Sequence, residues 1–327
     1  MELASGGVNG ASALLGPGAF VWSGGDLLGS MSIAANANLS LSGSAEKRLN
    51  GVVLNQAGSA VWTGSGNLTG LNGAVLTNSG LFDIRTDAAM PNGSGTRPSF
   101  YNFGTVLKSA GSGTNLCDFH FSNSGTVDLR NGVLALGGGY TPSSTSQLKL
   151  VISGPAPGTQ FSQLNLLGSA TLGGTLSVAF VNGFSPTNGN SFALVNYGSL
   201  VSKFATEHLP TLPDKQIAKL NYGAAALTLL IQPGQTALNL VFTKGQTFDT
   251  FQFDIVGPPA ESAIVLASPD PAAPTETWTG VFTNTPFSGN YHFTDSSPPL
   301  PPGFGRYYLV LFENVAPGLG AVGLLSR

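Results

Sequence analysis

Phe121-Ser-Asn-Ser-Gly-Thr-Val-Asp-Leu129 decides the fold, because three earlier stretches copy it. Leu76-Thr-Asn-Ser-Gly-Leu-Phe-Asp-Ile84 and Phe100-Tyr-Asn-Phe-Gly-Thr-Val106 keep the Asn-x-Gly centre, and Leu54-Asn-Gln-Ala-Gly-Ser-Ala-Val-Trp62 carries one residue more between Asn55 and Gly58. The glycines fall at 58, 80, 104 and 125, in steps of 22, 24 and 21 residues. Apolar residues follow each anchor at its second and fourth positions. That template extends back to Ala37 (Leu39, Leu41) and Gly18 (Phe20, Trp22), and forward to Ser146 (Leu148, Leu150).

A short unit made of a turn and alternating strands cannot bury its apolar face until a neighbour stacks on it, so the repeat predicts a solenoid. The 3.6-residue period of helical repeats does not occur. The predicted fold is all-β: a parallel β-helix, or right-handed β-solenoid, of ~20–24 residues per coil. About eight coils would stack at ~4.8 Å spacing. Gly58, Gly80, Gly104 and Gly125 are read as corners exploiting glycine's freedom at positive φ. Asn55, Asn78, Asn102 and Asn123 are read as a ladder of amides bonded from coil to coil.

The 327 residues include 45 glycines, 42% are hydrophobic and 9% are charged. Globular domains usually carry about a quarter charged residues. So neutral a surface suits an extracellular or cell-surface solenoid. With 13 scattered basic residues and a net charge of −3, the chain lacks the clustered Lys and Arg that nucleic acid or an anionic membrane requires. No apolar run is long enough for a membrane span, and Met1–Gly7 shows no signal-peptide pattern. The single Cys117 rules out an internal disulfide and reads as a buried, inert thiol.

Along the chain, residues 1–17 read as a cap or an unstructured segment, 18–232 as the parallel β-helix and 235–327 as a β-sandwich, with the boundary at Pro233-Gly234. Ala88–Pro98 is expected to bulge outward, since Pro and Gly break pairing. Residues 164–231 read as irregular coils closing on a pair of strands. The last segment contains seven short apolar runs, Leu238–Phe242, Phe248–Val256, Ala263–Ala267, Trp278–Phe282, Asn290–Phe293, Tyr307–Phe312 and Ala321–Leu325, separated by turn-rich stretches.

The Asn-x-Gly coils, Gly168-Ser-Ala-Thr-Leu-Gly-Gly-Thr-Leu176, Phe184-Ser-Pro-Thr-Asn-Gly-Asn-Ser-Phe192 and the closing Phe204, Leu209-Pro210 and Asn221-Tyr-Gly223 resemble β-helical segments of large bacterial secreted or surface proteins. Those proteins are of the autotransporter-passenger or adhesin type. The resemblance implies a non-enzymatic structural or adhesive role, as a stalk, adhesin segment or filament subunit. Ile264-Val-Leu-Ala-Ser268, Trp278, Phe293-Thr-Asp295 and Phe304-Gly-Arg-Tyr-Tyr308 resemble a small domain found at the C-termini of secreted bacterial proteins. That likeness implies attachment or sorting and carries over no catalytic residue.

Parallel β-helices also cleave polysaccharides, so an enzyme, a lyase or glycoside hydrolase, is the alternative, and a carbohydrate-binding module a third. Catalysis would need acids converging in one groove. The weak candidates are Asp83 and Asp128, expected to be exposed on one face two coils apart, and Asp118 with His120, expected side by side on one outward strand face. His208 and His292 show no acidic partner at metal-ligand spacing, and no metal or other cofactor is expected. Trp22 and Trp62 read as core first and as sugar-stacking platforms second. Lys108 stands where the template points inward, so either the strand twists or the lysine is paired and buried. Expected partners are further copies of the chain, through solenoid ends or strand donation, or surface glycans.

Overall fold

The computed structural model describes residues 1–213, 216–233, 251–256, 262–270, 272–274, 277–285, 288–295, 306–313 and 325–326. No α-helix occurs among them. They form two compact units, one of residues 1–211 and 218–231, the other of 212–217 and 232–327.

The first unit is a parallel β-solenoid with three faces. Its first face is a ten-stranded sheet running from Glu2–Leu3 to Thr206–His208. The third face has seven strands: Ala11–Leu14, Ser30–Ile33, Val53–Gln56, Val75–Asn78, Ser99–Asn102, His120–Asn123 and Tyr140–Pro142. Seven complete turns are therefore present where the sequence suggested about eight. Beyond Pro142 the coils lose their third side and continue irregularly on two faces. The second face is a four-stranded sheet from Gly7–Val8 to Leu68–Leu71 and then a six-stranded one from Thr114–Cys117, which ends when Ala226–Pro233 pairs antiparallel with Ser191–Ser202, with Gln216–Tyr222 outside it. Of the closing pair of strands expected within Asn221–Ile231, the second, Ala226–Pro233, falls there, but the first lies earlier, at Gln216–Tyr222.

The repeat template is the register. Phe20, Leu39, Ala60, Phe82, Val106, Val127 and Leu148 pair in one column, and Trp22, Leu41, Trp62, Ile84, Lys108, Leu129 and Leu150 in the next. Side chains alternate across a strand, so positions two apart share the inward face. Both tryptophans are fully buried, which leaves neither available as a sugar platform. Phe82, Phe100, Phe121 and Tyr140 pack ring against ring from one coil to the next.

The anchor glycines sit at the corner between third and first faces, but for a different physical reason from the one expected. None of Gly58, Gly80, Gly104 and Gly125 has positive φ. A Cβ on Gly80 would lie 2.0 Å from the Gly58 carbonyl oxygen, and one on Gly104 2.1 Å from that of Gly80. Close stacking of backbone on backbone is what requires glycine here. The left-handed corners form another column, between second and third faces: Gly10, Gly29, Gly51, Asn72 and Gly73 have φ of 88, 70, 63, 51 and 70°.

Only part of 88–98 bulges. Met90 is fully buried and bridges Cys117, while Asn92 bridges Gly70. Pro91 has no N–H to donate, so this coil keeps single bridges where its neighbours have a full strand. Lys108 points inward and is fully buried. Its ammonium donates to Thr86 O, Asp87 Oδ1 and Ala110 O at 3.1, 3.1 and 3.3 Å, which engages all three protons.

The second unit contains two antiparallel sheets. Phe251–Val256 pairs with Asn290–Asp295, and Ser262–Ser268 lies between Thr279–Asn284 and Tyr307–Glu313, with Leu325–Ser326 beyond. Phe253, Ile255 and Phe293 of the smaller sheet share a core with Ala263, Val265, Tyr308 and Val310 of the larger, which makes a small sandwich. Trp278 is buried. The apolar run Leu238–Phe242 and most of Ala321–Leu325 lie outside the described residues.

Candidate functional site

Cys117 closes a second-face strand and His120 opens a third-face strand, so Asp118 and Phe119 make the corner between them. Phe119 is fully buried and Phe121 nearly so, which pins the corner to the core and turns its polar neighbours outward. Asp118 and His120 consequently do not share a strand face. The Asp118 carboxylate accepts from Arg97 Nη1 at 2.6 Å, and the same nitrogen donates to Asp118 O at 2.8 Å. His120 Nδ1 lies 2.8 Å from Gly138 O. A carbonyl can only accept, so this contact places the ring proton on Nδ1 and leaves Nε2 as the free acceptor of the neutral ring.

Beside this corner is an open recess of about 360 Å³. Arg97, His120, Tyr140, Leu167, Ser169 and the Gly137–Gly139 corner contribute to its lining. Arg97, which the sequence reading did not single out, is brought here by the loop after Asn92. Its signal would have been the pairing with Asp118, and nothing in the local sequence announces that.

Asp83 and Asp128 pair in register with Leu107, which lies between them. Two coil steps separate them by ~10 Å, as expected, but Asp83 is not an exposed surface acid. It is 1% accessible, because Arg85 Nε and Ser109 Oγ both donate to it at 2.6 Å and cover it. Asp128 is held by Arg130 at 2.9 Å. With Asp26–Arg48, Asp87–Lys108 and Asp118–Arg97, every described aspartate of the solenoid is ion-paired. Asp83 has both oxygens engaged, by Arg85 and Ser109, and is poorly placed to take a proton from a substrate.

Side-chain amides bond from coil to coil at Asn78, Asn102 and Asn123, but Asn55 takes no part. Asn78 Nδ2 donates to Asn102 Oδ1, and Asn102 Nδ2 to Asn123 Oδ1, both at 2.8 Å with all three side chains buried. Gln56, not Asn55, pairs with Asn78 in the register, and its amide donates to Leu81 O at 3.1 Å. Asn55 faces solvent. Leu54 and Gly58 stand four residues apart, as Leu76 and Gly80 do, so the register is unshifted: Asn55 takes the outward place of Thr77 and Gln56 the inward place of Asn78, because side chains alternate along a strand.

In the second unit, His292 Nδ1 lies 2.6 Å from Asp254 Oδ1, directly across the antiparallel ladder. Sequence spacing left this histidine without an acidic partner. Asp295 accepts from Arg306 Nη1 at 2.8 Å and from the Tyr308 hydroxyl. Burial, with Asp295 adding to it, pushes the Tyr308 phenol up to about 12. No group of three His, Cys, Asp or Glu able to hold a metal ion occurs among the described residues.

Cys117 is buried, and desolvation pushes its thiol from 9.0 up to about 12. The native protein is expected to leave an aromatic disulfide reagent unreacted at pH 8 and to release one thiol per chain in denaturant. Burial likewise raises Tyr140 to about 12. Both groups are bound protonated in the fold, so their contribution is complete below the unfolded values. Stability is expected to fall as pH rises from about 9 towards 12, measured by denaturant melts.

Comparison of the chain with protein-family models, with curated proteins and with solved structures finds no match.

Proposed function

We propose that the solenoid is a non-enzymatic scaffold displayed outside the cell, a stalk or adhesin segment whose faces present neutral polar groups. The observation carrying this reading is the ion pairing of every described solenoid aspartate. A composition only 9% charged supports the extracellular setting. The second unit, with its likeness to C-terminal attachment domains, would tether or sort the chain. The antiparallel turn at Ala226–Pro233 ends parallel coil addition on the second face, which favours a stalk over a filament built by continuing the coils.

Incubation with a panel of polysaccharides, followed by assay for new reducing ends and unsaturated products, tests the reading. No product is expected. Product formation that disappears in Asp118→Ala or His120→Ala would replace the scaffold with an enzyme acting at the recess.

A further inference from the structure

The third face differs from the other two in its chemistry. Its seven strands contain no Asp, Glu, Lys or Arg. Facing outward along it are Ser30 and Ser32, then Val53 and Asn55, Val75 and Thr77, Ser99 and Tyr101, His120 and Ser122, and finally Thr141. Parallel register sets these side chains in rows at ~4.8 Å, so hydroxyl and amide groups tile a nearly uncharged sheet surface.

Two aromatic rings interrupt this field. Tyr101 is 40% exposed and is flanked in register by Thr77 and Ser122. Phe103 is 59% exposed and stands two residues further along, at the corner leading to the first face. In the adjacent coils the same corner carries Ser79 and Ser124, so the Phe103 ring projects beyond small neighbours. Phe100, between the two strand ends, is buried with Phe82 and Phe121. The core is thus filled without Tyr101 or Phe103. His120 is exposed, pairs with Ser99, and connects the strip to the recess at Arg97.

A flat ring offers an apolar face, and hydroxyls beside it offer hydrogen bonds in the same plane. The partner that matches both at once is a polyol ring, with C–H groups on its face and hydroxyls at its rim. Charge decides between sugar classes. Arg97 is the cation at the recess, and its guanidinium is already paired with Asp118. Nucleic acid would need clustered cations, which this face lacks. A protein partner would call for a contiguous apolar patch, whereas here the rings are flanked in the adjacent coils by the hydroxyl side chains of Thr77, Ser79, Ser122 and Ser124.

We propose that Tyr101 and Phe103, surrounded by Thr77, Ser99, His120 and Ser122, form a binding strip for a neutral oligosaccharide lying along strand Ser99–Asn102. The strip rests on the adhesive reading above and names its ligand class. The length from Ser99 to Phe103 is ~13 Å at the rise of a β-strand, enough for a short oligosaccharide with the recess as one terminus.

The test is isothermal titration of the full chain with cello-, laminari-, xylo- and manno-oligosaccharides, with chromatography of each sugar afterwards. At least one should bind, and Tyr101→Ala and Phe103→Ala should each weaken it about fivefold to tenfold, a loss of about 1 kcal/mol. Val53→Ala, exposed on the same face two coils from Ser99, should leave binding unchanged. All three positions are at the surface, so equal melting temperatures would establish that the variants fold. Failure of every neutral sugar to bind would overturn the proposal, as would an affinity unaltered in the Tyr101→Ala/Phe103→Ala double variant. Self-association abolished by Phe103→Ala, with no sugar bound, would assign the face to a second copy instead. Binding that depends on the two rings but yields cleaved sugar would keep the strip and sink the non-enzymatic reading.

Discussion

Gly80→Ala and Gly104→Ala should each destabilise the solenoid by about 3 kcal/mol, the upper end for overpacking a close-packed site. The added methyl would meet backbone rather than a movable side chain. It would sit 2.0 Å from Gly58 O in the first variant and 2.1 Å from Gly80 O in the second. Those oxygens cannot retreat, because each accepts a ladder bond: Leu81 N donates to Gly58 O at 3.0 Å and Thr105 N to Gly80 O at 2.8 Å. Relief requires the coils to part, and parting them breaks neighbouring bonds. A drop of roughly 6 °C or more in melting temperature is the expected size. Gly168→Ala is the control, since nothing lies within 4 Å of a Cβ there and its φ is not positive. It should change stability by less than about 0.5 kcal/mol. Wild-type melting of Gly80→Ala would contradict the stacked corner.

The second large effect belongs to Asn102, the middle of the amide ladder. Its Oδ1 accepts from Asn78, and its Nδ2 donates to Asn123 Oδ1 and Thr126 O at 2.8 and 3.0 Å. Truncation to Ala orphans buried groups on both sides, at about 1–3 kcal/mol each, so a loss of about 2–6 kcal/mol is expected. Asn102→Asp should be worse at neutral pH. It keeps the shape but points an anion at Asn123 Oδ1 and Thr126 O, which are acceptors. Burial would raise the pKa of this carboxyl in the fold, so the variant's penalty, measured against Asn102→Ala, should shrink as pH falls towards about 4. Asn55→Ala, at the solvent-facing position, should stay within about 0.5 kcal/mol of wild type. Chemical-denaturant melts of the three variants separate a buried ladder from a surface one.

What the sequence made legible was whatever repeats. The second and fourth positions after each anchor share one face of a short strand, so the inward columns could be aligned without knowing the corners between them. Corners were harder. Asn-x-Gly suggested glycine's conformational freedom, yet those glycines are needed for backbone contact with the coil below, which no single coil reveals. The left-handed column at Gly10, Gly29, Gly51 and Gly73 has steps of 19, 22 and 22 residues and was visible as spacing, but it lacks a neighbouring motif to mark it.

Candidate site residues were the least legible, because their surroundings come from other coils or strands. Asp83 is covered by Ser109 from the next coil, Asp118 meets Arg97 across 21 residues, and His292 meets Asp254 across 38. Asp118 and His120 alternate in sequence as strand residues would, but a corner intervenes between Cys117 and His120. Local alternation cannot show where a strand bends.

The coil-on-coil register is tested most directly by the distance between nitroxide labels at Ser32→Cys and Thr141→Cys, measured by pulsed electron resonance. Cys117 is buried and its thiol is held protonated, so it stays unlabelled in the native chain. Ser32 pairs with Asn55, Asn55 with Thr77, Thr77 with Tyr101, Tyr101 with Ser122 and Ser122 with Thr141. Five steps of one strand spacing give a single narrow distance of roughly 24 Å. A broad distribution, or a peak displaced by more than about two strand spacings, would show that these residues are not stacked on one face.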